Sequence, residues 1–120
     1  MAKLVSRDDF FMTSEDRLYY TLLTLSGEFT VKVLLDVRRE LFDMMEISMS
    51  NIIFDLQKCD HMDSSAIGLL ANLHKTLTKE NFILGILSPS NKIMPVLDST
   101  RLLNLIPLFQ SHKEVEEYFD

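Results

Sequence analysis

An α/β domain with a mixed sheet is the fold this sequence predicts, and three patterns carry the prediction. Short apolar runs rich in β-branched or aromatic residues alternate with longer segments of helical periodicity, the signature of strands interleaved with helices. The run Asn51–Leu56, a helical segment and the run Phe82–Leu87 follow one another directly, and such a unit is normally parallel and right-handed. Ahead of them, two β-rich stretches separated by a polar turn read as an antiparallel hairpin. With 120 residues, the chain has room for one core, so residues 1–120 are read as a single domain.

In the hairpin, Phe10, Phe11 and Met12 form the first strand, Thr13–Arg17 the turn and Leu18–Leu25 the return strand, which Ser26, Gly27 and Glu28 end. Val31, Leu34, Leu35, Arg38, Leu41, Phe42 and Met45 then recur at 3.6-residue spacing as the apolar side of a first helix, with Arg38 and Arg39 toward its edge. Ser48–Ser50 precedes the strand Asn51–Leu56, and Gln57–Met62 is read as a loop delivering the chain to the second helix. In the stretch Met62–Gly68 a polar triplet interrupts two apolar segments. Either Asp63 or Ser64 serves as N-cap, and Ala66, Ile67, Leu69, Leu70, Leu73 and Leu77 follow at helical spacing to about Glu80. After the strand Phe82–Leu87, Ser88, Pro89 and Ser90 open a third helix bearing Ile93, Met94, Val96 and Leu97, with Pro95 in its first turns expected to restrict or displace its start. Leu102–Phe109 leads into a final strand, and Ser111 caps a last helix that turns Val115, Tyr118 and Phe119 inward.

Composition narrows the function. A hydrophobic content of 47% with three Gly and three Pro argues against disorder, while no apolar run approaches the roughly 20 residues that span a bilayer. Met1–Asp9 lacks the apolar core of a secretory signal, and the lone Cys59 suits a reducing compartment; a cytoplasmic protein without membrane insertion is expected. The net charge of −6, with no basic cluster, excludes a nucleic-acid phosphate backbone as the expected partner.

Few residues carry the pattern of a reactive site. Cys59, Asp60 and His61 are adjacent, but three consecutive residues do not readily turn to one metal, and His74 and His112 read as solvated. No Gly-rich phosphate cradle, nucleophile elbow or paired zinc histidines occur, so no enzyme, cofactor or metal is expected. Asp63, Ser64 and Ser65 have a plain reading as a helix cap. Two serines after an aspartate exceed what one cap requires, which makes a modification site the second reading. Gly68 inside a helix costs up to about 1 kcal/mol against Ala, so a close approach by the sheet or by a partner is expected there.

These residues also resemble a known signature. Phe54, Asp55, Leu56, then Met62, Asp63, Ser64, Ser65, Ala66, Ile67 and Gly68 are similar to the motif of STAS domains, closest to bacterial anti-sigma factor antagonists. Leu25–Glu28 looks like the family's Leu-x-Gly-Glu segment, and Ser88, Pro89 with the segment Ile93–Leu103 looks like its C-terminal half, so nearly the whole chain is covered. The resemblance implies a sheet of four or five strands with helices mainly on one face. It also implies a partner switch: the unmodified protein binds a serine kinase that is an anti-sigma factor, phosphorylation of Ser64 ends that binding, and a serine phosphatase resets it. Met62, Asp63, Ser64, Ser65 and Gly68 would form the docking surface. Ala66 stands where the motif usually has Gly, and Phe29–Lys32 replaces an acidic and a small polar residue, which bears on the partner's identity. A STAS subunit docked permanently on a membrane transport complex, with Ser64 only a cap, is the alternative. A thiol or metal enzyme using Cys59 and His61 ranks last.

Overall fold

A computed structural model describes residues 2–120. Six strands form one sheet in sequence order: β1 (Ala2–Arg7), β2 (Phe10–Asp16), β3 (Tyr20–Phe29), β4 (Asn51–Met62), β5 (Leu84–Leu87) and β6 (Leu108–Phe109). The first three pair antiparallel and the last four pair parallel. The sheet is thus mixed, with six strands where four or five were expected. The extra one is β1, which the charged residues Lys3 and Arg7 disguise; it lies at the sheet edge, buries only Val5, and carries an irregularity between Lys3 and Val5. Charge and bulges are common on edge strands, where they discourage pairing with other chains.

Four helices, α1 (Val31–Ile47), α2 (Ser64–Lys79), α3 (Met94–Ser99) and α4 (His112–Phe119), connect and follow the strands. Two cores divide the helices between the faces. Leu23, Leu25, Ile52, Phe54, Leu56 and Ile86 point to one face and pack with Val33, Val37 and Leu41 of α1, Leu70 and Leu77 of α2 and Leu97 of α3. Tyr20, Leu22, Ile53 and Leu87 point to the other and pack with Phe109 and with Val115 of α4. Three of the four helices therefore share one face, as expected.

Several boundaries differ from the sequence reading, each for a local reason. The hairpin turn lies after Asp16 rather than across Thr13–Arg17, because Thr13, Ser14 and Glu15 pair with β3. Ser26, Gly27 and Glu28 do not end that strand: Gly27 takes φ +98°, and a Cβ there would lie 2.5 Å from the Asp9 carbonyl oxygen, so glycine lets the strand pass beneath the β1–β2 turn. Gln57–Met62 is not a loop but the second half of β4. Its pairing with β3 shifts register between Thr24 and Ser26 and again between Gly27 and Glu28, each time with an extra residue on β4. The third helix starts at Met94 rather than at residues 88–90, with Pro95 in its first turn, where the missing N–H costs no intrahelical bond. At the C-terminus Val115 is buried and Phe119 packs on the second core, whereas Tyr118 points outward.

The inward face of α1 differs too. Val33, Val37 and Leu41 are the buried set, four residues apart, while Val31, Leu35 and Phe42 face solvent.

Candidate functional site

Two helices begin side by side at one end of the sheet, where the C-terminal ends of the parallel strands β3 and β4 deliver the chain into α1 and α2. Each helix start leaves backbone N–H groups without an intrahelical acceptor. Thr30 caps α1, its Oγ1 accepting from the Lys32 N–H at 3.4 Å. Asp63, rather than Ser64, caps α2, its Oδ1 accepting from the Ala66 N–H at 3.0 Å. Its other oxygen, Oδ2, accepts from the Val31 N–H at 2.9 Å. One carboxylate thus holds the first turns of both helices, and negative charge is favoured at both positions by the helix dipoles.

Ser64 is the first residue of α2 and is exposed; its hydroxyl makes no hydrogen bond to any described residue. As the first helical residue, it also sits beside N–H groups that α2 does not use. Ser65 is half-buried, and Ala66 is fully buried, which accounts for a small residue at that position. Met62 lies in the core at 2% exposure, so its side chain anchors β4 rather than facing outward. Gly68 is exposed, and a Cβ there would meet nothing within 4 Å. The expected close approach by the sheet is therefore absent; the glycine that does carry close packing is Gly85, where a Cβ would lie 2.7 Å from Ile53 and 2.8 Å from Phe109.

Of the expected site residues, Asp63, Ser64, Ser65 and Gly68 thus come together on the first two turns of α2, and Met62 turns away. Thr30, Val31 and Lys32 join them from a segment 32 residues earlier than Asp63 by way of the Val31–Asp63 bond. Thr30 preceding a helical run is a capping signal in the sequence, but nothing in one sequence pairs the Val31 N–H that follows it with Asp63. Beside this corner opens a cleft of about 470 Å³, lined by Asp8, Asp9, Glu28, Lys32 and Asp60 among others. Asp60 also pairs with Lys92 at 3.6 Å.

The other reactive candidates are placed differently. Cys59 is fully buried, its Sγ donating to the His61 carbonyl at 3.5 Å, and burial pushes its thiol up to about 11. A thiol so raised is almost wholly protonated at neutral pH and is a poor nucleophile. His61 is exposed, and among the described residues no cluster of three His, Cys, Asp or Glu side chains could hold a metal ion. His112 is exposed, as expected, but His74 is not solvated: it is half-buried, and its Nδ1 is buried without a partner.

The family model of the STAS domain matches residues 12–115, which runs from within β2 through both helix starts to the first half of α4. The chain belongs to the STAS domain family. Its structure is similar to a candidate anti-sigma factor antagonist from Thermotoga maritima, with a TM-score of 0.85 and 18% identity over 90% of this chain and 93% of the other. It is also similar to an anti-sigma factor antagonist from Mycobacterium paratuberculosis, at 0.82 and 18% over 96% and 98%. A third similar structure is the Bacillus cell fate determinant SpoIIAA in its phosphorylated form, at 0.71 and 18% over 91% and 99%. At these identities the likeness is one of fold. No curated protein sequence matches the chain. Among the described residues, no helix is long and apolar enough to cross a membrane.

Proposed function

We propose that this STAS domain is a phosphorylation-controlled anti-sigma factor antagonist, which in unmodified form binds a serine kinase that is also an anti-sigma factor and is released when Ser64 is phosphorylated. The observation that carries this reading is the position of Ser64: an exposed, unbonded hydroxyl on the first residue of α2, next to an aspartate whose two oxygens are already committed to backbone N–H groups. A second serine-sized hydroxyl is not needed for capping there. The Mycobacterium paratuberculosis neighbour and SpoIIAA are both described as anti-sigma factor antagonists, and SpoIIAA is known in an unphosphorylated and a phosphorylated form, which supports the same class of function.

The physical consequence of modification follows from charge. A phosphate on Ser64 adds about −1.5 to −2 charges, partly offset by the positive end of the helix dipole and the free first-turn N–H groups. The domain keeps its fold, because the hydroxyl faces solvent. A partner packed against the helix start would have to bury that dianion, and a loss of about 4 kcal/mol weakens binding about a thousandfold. The protein is then the substrate of the kinase and not itself a catalyst, and a serine phosphatase restores the binding form.

Phosphosite mapping by mass spectrometry on the protein isolated from its own cells tests this directly. Phosphate on Ser64, absent from Ser65, is the expected result. A protein that carries no phosphate on Ser64 under any growth condition overturns the proposal and favours permanent docking with Ser64 as a plain helix residue.

A further inference from the structure

The exposed side of α1 carries an apolar stripe that the core does not use. Val31, Leu35 and Phe42 are 62%, 68% and 55% exposed, and their spacing of four and seven residues aligns them along one face of the helix. Phe42 and Met45 of α1 and Leu69 and Leu73 of α2 wall a groove of about 290 Å³ between the two helices. The single charged group lining the groove is Arg38, half-buried and with no carboxylate within 4 Å among the described residues. On a chain of net charge −6, an apolar groove marked by one unpaired guanidinium selects for a carboxylate.

This surface is continuous with the phosphorylation corner. Val31 begins the stripe, and its N–H bonds the Asp63 carboxylate next to Ser64. Phe42 ends it eleven residues on, about 16 Å along the helix axis. A standard interface of about 800 Å² per partner is roughly 32 Å across, enough to take in Ser64, Leu35 and the groove together. A groove between two helices fits the side chains of a third helix, anchored at helical spacing.

We infer that the partner that reads Ser64 also lays an acidic amphipathic helix along the exposed α1 stripe and the α1–α2 groove beside it, its apolar side chains on Leu35 and Phe42 and a carboxylate on Arg38. This rests on the proposed kinase substrate role of Ser64 and adds to it a surface that recruits the kinase away from the residue it modifies.

The test is the initial rate of Ser64 phosphorylation in extract of the protein's own cells, followed by mass spectrometry of the Ser64 peptide. The proteins compared are wild type, Leu35→Asp, Arg38→Glu and a control, Ile47→Asp, at an exposed site at the far end of the same helix. Unchanged urea midpoints establish that the variants are folded. Leu35→Asp and Arg38→Glu are expected to slow phosphorylation by about tenfold or more. Ile47→Asp is expected to stay within about twofold of wild type. Wild type that is never phosphorylated on Ser64 overturns both the proposed function and this inference. Phosphorylated wild type with Leu35→Asp and Arg38→Glu equally fast overturns the inference alone. A wild-type dimer that Leu35→Asp dissociates without slowing phosphorylation also overturns it, by making a second copy of the chain the occupant.

Discussion

Asp63 does two jobs with one side chain, and the energetics of the site follow from that. Its Oδ1 caps α2 and its Oδ2 holds the first N–H of α1, so removing the carboxylate frees two helix starts at once. A single lost N-cap costs about 1 kcal/mol, and Asp63→Ala is expected to lower the urea unfolding free energy by about 2 kcal/mol. A loss of only about 1 kcal/mol, the value of one cap, would show that the Val31 bond contributes nothing. Gly68 tests a different point. Among the described residues nothing occupies the space a Cβ would fill, so Gly68→Ala should raise stability by up to about 1 kcal/mol in the same assay. If it also weakens partner binding, the bare backbone serves the partner. At this scale the sequence identified a cap followed by a surplus serine, because both are local features of Met62–Gly68. It did not reveal the bond from the Val31 N–H to Asp63, two residues 32 apart that meet only when the two helix starts are brought together.

At the scale of the elements, β4 shows where periodicity misleads. Leu56, Cys59 and Met62 are buried at intervals of three, because each bulge adds one residue before the next inward side chain; a strand read at period two dissolves into an apparent loop after Leu56. The misread face of α1 has another cause. Its apolar residues occupy two stripes, and a single sequence does not distinguish the one that packs on the sheet from the one left to solvent. The last helix is legible in the sequence through its Ser111 cap and buried Val115, and its packing carries a pH dependence. Tyr20 donates its hydroxyl to Glu116 of α4 at 2.8 Å, and burial, then that hydrogen bond to the carboxylate, push its phenol up to about 12 from 10.0. The folded phenol is the weaker acid, so its contribution is complete below pH 10 and is lost as pH rises toward 12. Burial of Cys59 acts with the same sign from pH 9 toward 11. Urea midpoints should therefore fall above about pH 9, and Tyr20→Phe should flatten the part of the fall above pH 10. An identical alkaline fall in Tyr20→Phe would remove the phenol from the account.

Across the whole molecule, the two faces of the sheet are unequal. Three helices cover one face, and on it α1 and α2 present their starts, Ser64 and the apolar stripe in one continuous surface. The other face is closed by α4 alone, through Val115 and Phe119. The overall plan was legible because the alternation of apolar runs and helical segments is strong and the hairpin precedes it; the sixth strand escaped because edge strands carry charge. Because Ser64 is exposed on the capped first turn of a helix, the proposed switch requires no refolding, and modification acts through charge at the surface. The most direct test is the affinity of the purified protein for the kinase that phosphorylates it, compared among wild type, Ser64→Ala and Ser64→Asp. The account predicts that Ser64→Ala binds about as tightly as unmodified wild type, while Ser64→Asp, carrying one charge of the phosphate's two, binds at least about tenfold more weakly. Equal affinity of Ser64→Ala and Ser64→Asp would contradict it.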